Sequence, residues 1–356
     1  MKSLKNNIRR YTWLLLLIFI PMLSVSAQES KGNGGVDVKN IVFGHIGDSY
    51  EWHITTWGET HISIPLPVII MGNNGEWHMF LSSEFHHSPT AKYEGFYIAK
   101  EGQYEGKIVE KDATGAEIRP IDLSITKTAF AIIFNSVLLC IMILSVSCWS
   151  KRNPNQAPKG FVGFMELFIM DINDNVIKAC IGKGYERYAP YLLTAFFFIF
   201  FNNLMGLIPI FPGGANVTGN IAITFTLAFF TFLITNLFAT KEYWKEIFWP
   251  EVPMALKPIM IPIEIVGIIT KPFALMIRLF ANMMAGHSVI LSLVCLVFIT
   301  AAMGPVMNGS MTVVSVFFGI FMNLMELLVA YIQAYVFTML SAVFIGLSKV
   351  EPHHAN

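Results

Sequence analysis

Arg278 and Glu326 are the only Lys, Arg, Asp or Glu residues within the five long apolar stretches of the chain. A charge at mid-membrane costs on the order of 3 kcal/mol on insertion scales, so such groups face a partner or a water-filled path. A guanidinium keeps its proton, its pKa exceeding about 12, so Arg278 can attract a carboxylate but cannot relay a proton. An imidazole and a carboxylate exchange protons near neutral pH, which is the chemistry open to His287 and Glu326. On helical spacing Ala274, Arg278, Ala281, Asn282 and Ala285 share one face, a stripe of small side chains that lets another helix approach a guanidinium closely. His287 points away from that face, toward helices of its own chain, while Asn323, Glu326, Ala330 and Gln333 share a face of a second helix. Antiparallel packing of the two helices would make His287 and Glu326 neighbours. Two blander readings compete: a snorkelling arginine near a helix end, which Lys271 keeps open, and a buried ion pair that only fixes packing.

The elements that must position these groups are membrane helices. The stretches 128–149, 189–211, 220–240, 272–303 and 311–348 are nearly free of charge, and a helix needs about 20 apolar residues to cross. The reading is an all-α polytopic membrane protein with five transmembrane helices, two of them long and tilted. The last stretch, proline-free over 311–348, would be about 57 Å long as one helix and must tilt or bend against a protein partner. Residues 161–180 are interrupted by Glu166, Asp171, Asp174 and Lys178 and read as a helix at the interface. The segments 150–188, 241–271 and 349–356 hold eleven basic residues and the short loops 212–219 and 304–310 hold none, which places the former in the cytoplasm.

The N-terminal third is of another kind. Of the 48 charged side chains 26 lie in residues 1–127. Residues 1–27 read as a cleaved signal peptide: Lys2, Lys5, Arg9 and Arg10, an apolar run from Trp13 to Leu23, then Val25-Ser26-Ala27. Residues 28–127 read as a small exported β-rich domain, from alternation such as His61-Ile62-Ser63-Ile64 and the hairpin pair Asn74-Gly75. Residues 128–349 form the membrane domain and 350–356 a cytoplasmic tail. His45, His53, His61, His78, His86 and His87 lack metal-ligand spacing and read as surface or strand residues. Cys140, Cys148, Cys180 and Cys295 lack paired spacing and read as bystanders. Zero net charge with no basic block removes nucleic acid as a partner.

The run Lys271-Pro272 through Met276-Ile277-Arg278-Leu279-Phe280-Ala281-Asn282-Met283-Met284-Ala285-Gly286-His287 resembles the signature of subunit a of F-type ATP synthases. Asn203-Leu204-Met205-Gly206-Leu207-Ile208-Pro209 and Gln333-Ala334-Tyr335-Val336-Phe337 resemble two further family helices, and the resemblance covers residues 128–349. It implies that Arg278 faces a rotating ring of c subunits, between two aqueous half-channels, in a bacterial inner membrane with the exported domain periplasmic. It further implies roles for Asn282, for Gln333 on the facing helix and for Glu264 toward the cytoplasmic exit. The family's acid and histidine are often placed the other way round from His287 and Glu326, and some relatives carry an acid where Gly206 stands. Protons would enter past Asn203, His287 and Glu326 and leave toward Glu264, along a path wholly within residues 128–349. The implied partners are the c-subunit ring, peripheral-stalk b subunits and other ATP synthase subunits. No Gly-rich phosphate loop followed by Lys-Ser or Lys-Thr is present, so ATP chemistry would lie in other subunits and no cofactor is implied. The alternatives are a stand-alone proton-coupled secondary transporter, which predicts internal repeats, and a respiratory redox subunit, which needs paired haem ligands.

Overall fold

The computed structural model describes residues 46–349, apart from 58–59, 88–91, 100–101, 112–114, 209–210, 251, 255 and 302. The signal-peptide reading of 1–27, His45 and the tail 350–356 lie outside the described residues.

The helical part begins at α1, Lys127–Arg152. Thr126 caps it, its hydroxyl oxygen accepting the Ala129 N–H, and Lys151 and Arg152 sit in its last turn, where cations suit the helix dipole. Next come α2, Gly160–Asp171, and a π-helical stretch, Ile172–Lys178, with Ile172, Val176 and Ile177 buried. α3, Ala189–Leu207, is the central helix; Leu192, Phe196 and Ile199 are fully buried and join Leu275, Met276 and Leu279 and the C-terminal Phe337 and Ile345 in one core. α4, Ile221–Leu237, and α5, Lys241–Phe248, meet at a bend of 99°. α6, Lys257–Ala301, and α7, Pro305–Leu347, close the chain.

Four of these helices are long and apolar enough to cross a membrane, and α4 with α5 supplies a fifth if the bent pair is one span. The span expected at 272–303 belongs to a helix that starts fifteen residues earlier, at Lys257, with Pro262 and Pro272 inside it. A proline removes one intrahelical donor, a loss that neighbouring helices can make good. Arg278 therefore stands well inside a helix, and the helix-end reading loses its basis. α6 and α7 have 45 and 43 residues, each about twice as long as the hydrocarbon core is thick. α7 passes close over the segment after the π-helix, where a Cβ on Gly346 would overlap the Cys180 carbonyl oxygen.

Among the described residues the N-terminal region forms three small antiparallel sheets. β1, Glu51–Trp57, pairs with β2, Thr60–Pro65. β3, Pro67–Met71, lies between β4, Trp77–Leu81, and the short β9, Ile121–Asp122. Between them in sequence, β5, Lys92–Tyr93, β6, Phe96–Ile98, β7, Ile108–Lys111, and β8, Glu117–Ile118, form a four-stranded sheet in sequence order. The β3–β4 hairpin turns at the expected Asn74-Gly75, with Gly75 at φ +80°, a conformation glycine adopts freely. Tyr50, Val68, Ile70, Phe80, Phe85, Phe96 and Ile108 make the core. The Tyr50 hydroxyl donates to Asp122, and burial first, then that carboxylate, pushes the phenol pKa up.

Candidate functional site

α6 and α7 turn back on each other at Gly304, whose φ is +106°, and pack antiparallel. That arrangement brings His287 Nδ1 of α6 into hydrogen-bond contact with Glu326 Oε1 of α7. Further along the same seam, Asn282 Nδ2 donates to Gln333 Oε1 at 2.7 Å. Glu326 and Gln333 are 4% and 3% exposed, so both polar groups of α7 are held inside the protein, with His287 half-buried. Gly286 makes room for the carboxylate, because a Cβ there would lie 2.9 Å from Glu326 Oε1.

On the far side of His287 stands the end of α3. A Cβ on Gly206 would lie 3.4 Å from His287 Nε2 and 3.3 Å from the Ala215 carbonyl oxygen, so the α3–α4 loop folds back over the imidazole. One turn before Gly206, Asn203 accepts a hydrogen bond from the Thr218 hydroxyl of that loop at 2.5 Å. Asn203 Nδ2, Asn216 Nδ2, His287 Nε2 and Glu326 Oε2 are buried polar atoms without a partner among the described residues. Each such group costs about 1–3 kcal/mol unless something hydrogen-bonds it, and water is the usual agent. The unmet donors and acceptors belong to neighbouring residues from the α3–α4 loop to the α6–α7 seam.

Arg278 lies on the opposite side of α6. Leu275, Met276, Leu279 and Met283 form the buried ridge of this helix, while Ala274, Arg278, Ala281, Asn282 and Ala285 are all exposed. The stripe of small residues is thus an uncovered face with a guanidinium in it, and Arg278 has no hydrogen-bond or ion-pair partner among the described residues. Glu264 is fourteen residues before Arg278 on the same helix, about 21 Å along its axis. The fold does not bring Glu264 to Arg278 or to His287; its charge acts on Tyr243 of α5.

Asn323 lines the groove between α6 and α7 together with Ile290, Leu293 and Ile320, but it is exposed there and donates to the Gly319 carbonyl at 2.9 Å, whereas Glu326, Ala330 and Gln333, further along the same seam, are buried. Sequence reasoning missed Asn216, Thr218 and the buried bond from Asn135 Nδ2 of α1 to Asn202 Oδ1 of α3 at 3.0 Å. The signal for the first two was present: residues 213–220 are polar, uncharged and set between two apolar runs.

Residues 131–346 match the family described as ATP synthase A chain, and residues 41–125 match one described as Domain of unknown function (DUF8433). The chain is 45% identical over 240 residues to ATP synthase subunit a of Chlorobium phaeobacteroides, an overlap of 66% of this chain and 68% of that protein. It is 43% identical over 247 residues to ATP synthase subunit a of Chloroherpeton thalassium, covering 67% and 71%. The subunit a of Myxococcus xanthus is 40% identical over 242 residues, covering 66% and 76%.

Proposed function

The chain belongs to the ATP synthase A chain family, and within that membership, as the proton-translocating membrane subunit of an F-type ATP synthase, we propose a route for the ion and a role for each site residue. Five helices span the bacterial inner membrane, α4 being the third, with α6 and α7 lying obliquely and α2 at the cytoplasmic interface. The exported domain is periplasmic and the C-terminus cytoplasmic, the orientation that the distribution of Lys and Arg favours.

Protons enter between the α3–α4 loop and the α6–α7 seam, where Asn203, Asn216 and Thr218 hold water. Glu326 and His287 take the proton next; their hydrogen bond gives an acid and a base within reach of each other. From there the proton passes to a carboxylate of a c-subunit ring packed on the open face of α6. After nearly a full rotation the ring releases it toward Glu264 and the cytoplasm. Arg278 faces the ring between the two half-channels. It attracts the ionised ring carboxylate, draws it out of its protonated state, and blocks direct proton passage because it cannot give up its own proton. Asn282, bonded to Gln333, holds the polar edge of that face beside the guanidinium. ATP is made elsewhere in the complex, and peripheral-stalk b subunits hold this chain against the torque of the ring.

The observation that carries this reading is the uncovered small-residue face of α6 with Arg278 in it, directly across the helix from a buried His287–Glu326 pair. No feature of the relatives favours a stand-alone transporter. Purification through a tag on this chain tests the assignment. A ring of small subunits must accompany it, and the chain alone in liposomes must fail to drive proton-coupled transport; transport by the isolated chain would overturn it.

A further inference from the structure

The exported region is tied to the membrane domain by residues 46–52, and the tie lies at the outer end of the path just described. Ile46 is buried against Cys295, with Met284 and Leu291 packed around them. Positions 284, 287, 288, 291 and 295 fall on one stripe of α6, so Ile46 covers the face that carries His287. Six residues later Trp52 is buried among Ala131 of α1 and Ala215 and Val217 of the α3–α4 loop, its ring 5.2 Å from that of Phe211. Ala215 is the same residue whose carbonyl stands over Gly206 and His287. The segment therefore bridges the stripe of α6 that carries His287 to the α3–α4 loop. Between the anchors it is stitched to the start of α1: Lys127 N–H donates to the Ser49 carbonyl at 2.8 Å, and Thr128 N–H donates to Asp48 Oδ1 at 3.0 Å. Asp48 is half-buried, with the Lys127 ammonium acting on it from the adjoining turn.

We propose that residues 46–52 build the outer mouth of the ion path and that Asp48 is its proton-collecting group, so that the path begins in the exported region and not within residues 128–349 alone. The inference rests on the function proposed above. A carboxylate held at a channel mouth takes protons from passing buffer and hands them inward faster than bulk water supplies them; the Thr128 N–H keeps Asp48 in place, and the Lys127 ammonium beside it offsets part of its charge. Asp48 also caps the first turn of α1, and the test must separate the two roles.

Asp48→Asn does so, because the amide oxygen still accepts the Thr128 N–H while the charge and the titratable proton are gone. Membrane vesicles stripped of the catalytic subunits should be given a potential that drives protons in from the exported side. Asp48→Asn is expected to lower passive flux several-fold at millimolar buffer and to recover most of it when the buffer on that side is raised, since mobile buffer then replaces the fixed collector. An unchanged flux, or a loss that buffer does not relieve, would overturn the inference and leave Asp48 as a helix cap. Wild-type vesicles that conduct no protons would instead overturn the function on which it rests.

Discussion

Alanine at Gly286 perturbs the His287–Glu326 contact without altering either partner. The added Cβ would lie 2.9 Å from Glu326 Oε1 and 3.1 Å from its carboxyl carbon, against an ordinary contact of 3.4 Å or more. The carboxylate must therefore retreat by roughly half an ångström in a seam where it is 4% exposed. A hydrogen bond to a charged group contributes about 1.5–3 kcal/mol. At 1.4 kcal/mol per factor of ten, its loss would cut the paired population by about 10- to 140-fold. ATP-driven acidification of inverted vesicles, divided by the amount of assembled complex, should fall at least about tenfold in Gly286→Ala. Gly206→Ala is the matched comparison. Its Cβ would meet His287 Nε2 at 3.4 Å and the Ala215 carbonyl at 3.3 Å, a contact the loop relieves by giving about a tenth of an ångström, so the rate should stay within about twofold of wild type. A wild-type rate in Gly286→Ala, or the larger loss in Gly206→Ala, would mean that pumping does not depend on the Glu326 carboxylate staying against His287.

Other expectations follow from the same geometry. His287→Ala and Glu326→Ala should each slow pumping, and the double variant should lose less than the two effects combined; a coupling energy below about 0.5 kcal/mol would mean that the residues serve separate sites. Asn282→Leu and Gln333→Leu remove opposite ends of one hydrogen bond, so each should reduce pumping by a similar few-fold factor and the pair by little more, and strictly additive losses would count against a shared role. On the proposed topology, protease added to intact spheroplasts should clip the N-terminal region and spare the tail that carries His353 and His354, whereas cleavage of the tail alone would invert the topology and both half-channels.

The charge-free stretches were legible because lipid leaves no alternative partner for a side chain, so composition alone marks the spans. For the same reason Arg278 and Glu326 stood out, and the antiparallel seam places Glu326 against His287. The start of α6 was not legible. Pro262, Glu264, Lys271 and Pro272 interrupt the apolar run, and only contact with α4 and α7 shows that the helix continues through them. Asn323 keeps to the α6 side of α7 but is exposed where the groove is open, because helical spacing assigns a face and not how tightly two helices close on it. The return of Asn216 and Thr218 to Asn203 depends on how one loop folds, and the seat of Ile46 on α6 joins residues 238 to 249 positions apart. No local pattern encodes either.

If Arg278 separates two half-channels at a rotating ring, as proposed, Arg278→Ala must uncouple the complex. Vesicles in which the variant complex is assembled to wild-type levels should show no ATP-driven proton pumping, with Arg278→Lys severely impaired as well, because an ammonium can shed its proton and lacks the planar fork. Wild-type pumping by assembled Arg278→Ala complex would contradict the account.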